Sequence, residues 1–363
     1  MPLKCGIIGL AGSGKTTLFN CISNTRAETH KAAFTASKSN LGVMNVPDQR
    51  LKALDDLIHS ARIIPTTIEM VDIPGLTKGG SQSEGNKFLS DIRNVDALIH
   101  VIRCFDDPMM PHIEGSVDPV RDKEIVDLEL QIRDAESVDK KIQRMEKLVR
   151  AGEKNAKHGI EVLNGFKDHL ESFKPARTFQ VSKEDRHFID DLFLLSDKPV
   201  IYVCNVDDAS AMNGNEYTRK FKESVQHENA DVLIVAGRLE SEIAELDSEE
   251  DRKAFLTDAG LPEPGVNRLV RAAFNLLGLQ TFFTAGPKEV RAWTIHKGMT
   301  APQAAGVIHS DLERGFIRAE VIKYADFISL KSELACKEAG KLYIEGKNYI
   351  VGDGDILNIR FNV

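Results

Sequence analysis

The spacing of apolar and polar positions changes several times along the chain, and each change marks a different kind of element. The opening run Lys4-Cys5-Gly6-Ile7-Ile8 is almost wholly apolar, as a strand covered on both faces is, and it predicts a strand leading into a short helix over 16–22. Runs at 66–71, 97–105, 199–204 and 231–235 predict further buried strands, with helices over 86–93 and 239–246. Strands alternating with helices predict a parallel-rich α/β sheet, which the segment 249–277 completes. Between 125 and 173 the period turns helical. Leu128, Ile132, Ala135, Val138, Ile142, Met145 and Val149 recur at steps of four and three, Ala151-Gly152 interrupts them, and Ala156, Ile160, Leu163, Phe166, Leu170 and Phe173 repeat the pattern. Two narrow stripes joined by a short turn predict an antiparallel helical hairpin inserted in the α/β unit. From Gly278 onward, short β-branched runs at 281–284, 290–294, 316–321, 349–351 and 357–361 surround one helix at 301–309. With the turn signal Gly352-Asp353-Gly354-Asp355, they predict a small β-grasp-like α+β domain.

The first strand runs into Gly9-Leu10-Ala11-Gly12-Ser13-Gly14-Lys15-Thr16, which reads GxxxxGKT. Between a strand and a helix, this spacing points to nucleoside triphosphate binding: glycines let backbone N–H groups turn toward phosphates, and the helix adds its positive end. Gly9, Ala11, Gly12, Ser13, Gly14 and Thr17 are expected in the cradle, Lys15 on the β- and γ-phosphates and Thr16 on Mg²⁺. The run at 66–71 delivers Asp72-Ile73-Pro74-Gly75, a DxxG pattern in which Asp72 is expected to hold the metal and Gly75 to sense the γ-phosphate. Thr35, in an aperiodic loop, is either a further Mg²⁺ ligand or a surface threonine. Leu76 stands where many GTPases carry the glutamine that orients the attacking water, and leucine cannot hydrogen-bond to water. His112, in the loop 106–118 that carries two prolines, is the nearest titratable replacement; an ordinary loop histidine is the competing reading. His100, inside an apolar run, reads as a hydrogen-bonded core residue. Asn205-Val206-Asp207-Asp208 sits where a base-reading NKxD motif belongs. Asn205 and Asp208 fit guanine recognition and Val206 does not. Ala236-Gly237 follows the next strand, where a base-contacting backbone loop belongs.

Length and charge narrow the classes. The 363 residues exceed what one core usually holds, and a net charge of −8 disfavours a general nucleic-acid binder. No run of 18 apolar residues occurs, and a cytoplasmic location without a membrane partner is expected. The five cysteines lack CxxC spacing and read as small core residues.

Together these stretches resemble the YchF subfamily of the Obg-like ATPases over nearly the whole length. The most specific segments are Asn86-Lys87-Phe88-Leu89, His100-Val101-Ile102-Arg103-Cys104-Phe105, the run from Phe282 to Thr294 containing Ala285-Gly286-Pro287-Lys288-Glu289, and the closing run from Glu345 to Asp355. The resemblance implies an Obg-type P-loop domain over 1–122 and 198–277, a helical coiled-coil arm over 123–197 and a TGS domain over 278–363. It also implies slow Mg²⁺-dependent hydrolysis of ATP in preference to GTP, a hydrophobic residue in place of the catalytic glutamine, and His112 in the loop of the family's proposed catalytic histidine. The implied partner is the ribosome, by its large subunit, ribosomal RNA or tRNA, with no DNA and a monomeric chain. Four departures stand out: Gly12-Ser13-Gly14-Lys15-Thr16 where the family has NVGKS, Asp208 where it has glutamate, a shorter switch around 81–85, and a first loop keeping only Phe34-Thr35 of its usual run. Asp208 leaves a GTPase translation or assembly factor open. Leu76 leaves open a nucleotide-gated adaptor with negligible turnover.

Overall fold

In the computed structural model, which describes residues 3–23, 39–75 and 82–362, the continuous apolar runs become strands and the periodic ones helices. The first elements are β1 (Lys4–Ile8), α1 (Lys15–Ile22), β2 (Asn40–Asn45), α2 (Gln49–Ile58), β3 (Ile63–Ile64) and β4 (Thr67–Asp72). They are followed by α3 (Gln82–Arg93), β5 (Ala97–Arg103), α4 (Pro119–Arg150), α5 (Ala156–Glu171), β6 (Val200–Asn205) and α6 (Glu216–Ser224). Next come β7 (Asp231–Val235), α7 (Gly237–Glu245), α8 (Glu249–Asp258), α9 (Gly265–Leu276), β8 (Leu279–Ala285), β9 (Val290–His296) and α10 (Ala301–Ile308). The chain closes with α11 (Ser310–Arg314), β10 (Phe316–Lys323), α12 (Tyr324–Leu330), α13 (Glu333–Glu338), β11 (Leu342–Glu345) and β12 (Asp355–Phe361). Among the described residues, no helix is long and apolar enough to cross a membrane.

By contact density the chain forms two units, Met1–Gly42 with Glu69–Leu269, and Val43–Ile68 with Val270–Val363. The first carries a six-stranded sheet in the order β2-β4-β1-β5-β6-β7. β4, β1, β5, β6 and β7 pair in parallel, with Ile7 opposite Asp72 and Ile8 opposite His100. Every residue of β5 and β6 is buried, which is why both read as unbroken apolar runs. The order reverses direction at β1, and the glycine-rich turn follows its carboxyl end, where open α/β sheets bind ligands.

The helical hairpin is present, and its stripe differs from the expected one over the first turns. Leu128 and Ile132 are 39% and 47% exposed, while Val126 and Leu130 enter the core of the sheet unit. Asp127, Gln131 and Asp134 are buried there too. Burial of charged residues breaks the periodic signal: Asp134 receives the N–H groups of Leu195 and Ser196 and the Ser196 hydroxyl, and burial pushes its carboxyl up to about 6. From Val138 to Leu170 most of the stripe is buried, and Val138, Met145, Leu163, Phe166 and Leu170 belong to the hairpin's own core, while its end positions Val149 and Phe173 are 38% and 74% exposed. A Lys167–Asp139 ion pair at 2.7 Å ties the two helices.

In the second unit the five strands of 279–361 lie in the spatial order second, first, fifth, third, fourth, with β8 and β12 parallel and the other pairs antiparallel. That is the β-grasp arrangement, with α10 over its core. The run at 349–351 contributes a single bridge, Thr300 to Ile350, and no strand. Residues 43–68, counted by sequence with the nucleotide-binding part, belong to this unit. β3 adds a sixth strand beside β9, and Leu51 and Leu54 of α2 pack with Phe283 and Phe327.

Candidate functional site

The phosphate loop is shaped by close backbone contacts. Gly9 has φ +145°, and a Cβ there would lie 2.4 Å from the Val101 carbonyl oxygen, so the chain leaves β1 only through glycine. Gly14, the left-handed residue at the start of α1, has φ +93°, and a Cβ on it would lie 2.1 Å from the Asn205 amide nitrogen. Ala11 and Gly12 are half-buried between them, and Ser13 is buried with a hydroxyl that has no partner among the described residues.

Lys15, the first residue of α1, is buried, and its Nζ donates to the Leu10 carbonyl at 2.7 Å. It lies beside Gly75, where a Cβ would approach Nζ to 2.5 Å. Burial lowers the ammonium to about pKa 8, against the pull of Asp72. Asp72 ends β4. Its Oδ2 accepts the Thr16 hydroxyl at 2.8 Å, and the Asn40 side chain also hydrogen-bonds to the carboxylate. Its buried Oδ1 has no partner, and desolvation raises its pKa. Thr17 is half-buried in the next position of α1.

At the far end of the parallel sheet, Asn205 links two loops. Its Nδ2 donates to the Ser13 carbonyl and its Oδ1 accepts from the Gly237 N–H, each at 2.9 Å and buried. Val206 is buried in the core at 2% exposure, and a valine there covers no base. Asp208 is exposed, 3.6 Å from the Arg238 guanidinium. Ala236 is buried, and Gly237 opens α7.

His112 lines a narrow crevice shared with Leu10, Ala11, Ser13 and His100. It is not an open loop histidine, since its side chain is 5% exposed. Nε2 lies 2.8 Å from Asp122 Oδ2, and Nδ1 accepts the Glu114 N–H at 3.1 Å. The Arg103 guanidinium donates to the carbonyls of Phe105 and Met110 and so fixes the loop that carries it. His100 is a core residue as expected, but its Nε2 has no partner among the described residues, and burial beside Lys123 and Arg177 lowers it to about 3.

The structure therefore brings together Lys15, Thr16, Asp72, Gly75, Asn205 and Gly237. Thr35 and Leu76 lie outside the described residues. Sequence reasoning missed Asn40 and Asp122, both polar partners from distant segments with no motif spacing to reveal them. Cys5, Cys104, Cys204 and Cys336 are buried, and Cys21 is half-buried 3.4 Å from the Ser241 hydroxyl.

The chain is similar to known proteins over its whole length. Residues 4–164 match the family model described as "50S ribosome-binding GTPase", and residues 279–362 match YchF-GTPase_C, "Protein of unknown function (DUF933)". "Ribosome-binding ATPase YchF" of Bacillus subtilis (strain 168) is 46% identical over all of both chains. The protein of the same name from Escherichia coli O157:H7 is 45% identical, again over all of both chains. A solved structure, "Structure of the Schizosaccharomyces pombe YchF GTPase", superposes with a TM-score of 0.86 at 34% identity, covering 99% of this chain and 97% of the other.

Proposed function

The chain belongs to the YchF family, and on that footing we propose that it is a slow, Mg²⁺-dependent nucleoside triphosphatase that hydrolyses ATP and binds the ribosome. The observation that carries the chemistry is the pairing of Thr16 with Asp72 beside Lys15. A buried carboxylate oxygen without a partner, next to a hydroxyl and an ammonium on a phosphate loop, fits a hydrated divalent cation and a triphosphate. Thr16 and Asp72 would hold Mg²⁺, with Thr35 as a further ligand. When bound, the ion neutralises charge on the phosphate oxygens.

The rest of the chemistry falls to the chain. The N–H groups of the loop from Gly9 to Gly14 and the amino end of α1 receive the phosphates. Lys15 exchanges the Leu10 carbonyl for β- and γ-phosphate oxygens and regains full charge in doing so. Gly75 offers its N–H to the γ-phosphate, so hydrolysis releases the segment that follows. Asn205 keeps the phosphate loop and the Ala236-Gly237 base loop in register. His112 orients the attacking water in place of the glutamine that Leu76 displaces. The helical hairpin serves as the docking arm and the β-grasp sheet as the TGS domain, and the protein works in the cytoplasm as a monomer.

A second reading, GTP hydrolysis, is favoured by Asp208, since the shorter carboxylate is what GTPases carry at that position. Val206 opposes it, and the relatives named above as ATPases favour adenine. Equilibrium competition between ATP and GTP, with and without Mg²⁺, separates the two. Co-sedimentation with large ribosomal subunits in a non-hydrolysable ATP analogue or ADP tests the partner. ATP winning by about tenfold or more supports the proposal, since that margin is roughly 1.4 kcal/mol. GTP winning by that margin, or absence from the ribosomal pellet in both nucleotides, contradicts it.

A further inference from the structure

His112 is poorly placed to do the work assigned to it. A group that takes or orients a water proton needs an open lone pair, and neither ring nitrogen has one. Nδ1 is filled by the Glu114 N–H, which requires the proton to sit on Nε2, and Nε2 gives that proton to Asp122 Oδ2 at 2.8 Å. In a catalytic carboxylate–histidine pair the acid holds one nitrogen and the other faces the nucleophile. Here both are engaged, and both side chains are almost fully buried.

We propose that Asp122 is a positioning residue that parks the His112 ring out of action, and that displacement of the first turn of α4 releases it. The proposal rests on the reading of His112 given above. Asp122 lies in that first turn, and its other oxygen is held by the Arg121 guanidinium at 2.9 Å, which in turn donates to the Ser116 carbonyl. The neighbouring Lys123 pairs with Asp127 and Glu228, each at 2.6 Å, and Glu228 also holds Arg177 at 2.7 Å. The root of α4 is therefore clamped in one arrangement, and a shift that disturbs this ion cluster also moves Asp122. α4 runs unbroken from Pro119 to Arg150, the outer half of the hairpin. A load on the hairpin would thus reach His112 through one continuous helix. The ring borders a narrow crevice beside Leu10 and Ala11 of the phosphate loop with no room for a water, so its release must widen that space.

The test is a double-mutant cycle on the full chain: wild type, Asp122→Ala, His112→Ala and the double variant, with ATP kcat and KM measured alone and with ribosomes. Asp122→Ala is expected to raise basal kcat by about threefold or more with KM little changed, and to shrink the stimulation by ribosomes. The double variant should match His112→Ala, as the effect passes through the ring. Asp122→Asn keeps an oxygen to accept the Nε2 proton without the charge and should fall between wild type and Asp122→Ala, which separates release from misfolding. Nitrogen-15 spectra of the His112 ring supply an independent readout: protonated Nε2 and bare Nδ1 in the free wild type, and loss of that fixed tautomer in Asp122→Ala. If Asp122→Ala lowers kcat as far as His112→Ala does, Asp122 assists catalysis and the inference is overturned while the His112 reading stands. If His112→Ala leaves turnover unchanged, both fall. A protonated Nδ1 in the free wild type also overturns it.

Discussion

Replacing Asn205 by alanine removes both hydrogen bonds that join the phosphate loop to the base loop. The Ser13 carbonyl and the Gly237 N–H are buried and have the Asn205 amide as their partner, each at 2.9 Å. An orphaned buried group costs about 1–3 kcal/mol, so two of them cost about 2–6 kcal/mol, less whatever a water entering the space returns. Gly14 sharpens the effect, because its backbone lies against the lost side chain with no Cβ to fill the gap. The cost falls on the free protein as local loosening and on the complex as a phosphate cradle out of register with the base loop. At least about 1.4 kcal/mol is expected in ATP affinity, a tenfold weaker Kd. Isothermal titration with ATP and Mg²⁺ measures that part. Amide hydrogen exchange over the phosphate loop and the first turn of α7 measures the loosening, which should appear there and not in the β-grasp sheet. A Kd within about twofold of wild type together with unchanged exchange in both segments would refute the linking role of Asn205.

Further expectations follow from the charges. Burial lowers Lys15 to about 8, so it loses its proton as pH rises through that value. ATP affinity measured from pH 7 to 9.5 should be level below about 7.5 and fall by up to tenfold per unit above 8; a flat profile contradicts the role given to this lysine. Glu228 is held down to about 2 by Arg177 and Lys123, and a depressed carboxyl stabilises the fold above its unfolded pKa. That contribution is complete at neutral pH and is lost as pH falls from about 4.5 toward 2. Glu228→Gln leaves two buried cations sharing Asp127 as their acid and should cost up to about 3–5 kcal/mol, read as a lowered thermal midpoint at pH 7; a midpoint within a degree of wild type would count against the cluster. Val206→Lys restores the residue that packs over guanine while Asp208 is present, with the new ammonium reaching out to solvent from a buried stem. It should move the ATP-to-GTP ratio toward GTP by about tenfold in the competition assay, and an unchanged ratio removes Val206 as a specificity determinant.

What the sequence revealed and what it hid have physical causes. Runs such as 97–105 and 199–204 announced themselves because β5 and β6 are buried on both faces, and the phosphate loop was legible because its glycines answer to backbone geometry over eight consecutive residues. The root of α4 misled because its buried positions include Asp127, paired with Lys123 one turn earlier, Gln131, and Asp134, which is satisfied by Leu195 and Ser196 far along the chain. Periodicity counts apolar residues and cannot see a buried acid with a partner 60 residues away. Residues 43–68 escaped for another reason: β3 is two residues long, and nothing local indicates that it pairs with β9. His112 stood out in the sequence as a candidate, yet its engagement by Asp122 and Glu114 depends on how a loop folds back on a helix start.

The central claim is tested most directly by phosphate release from ATP, measured for the wild type and for Lys15→Ala in Mg²⁺ and again with the metal chelated. The account predicts slow release that needs both Mg²⁺ and Lys15 and that rises when ribosomes are added. Release that persists in Lys15→Ala or without the metal, or no release by the wild type even with ribosomes present, would contradict it.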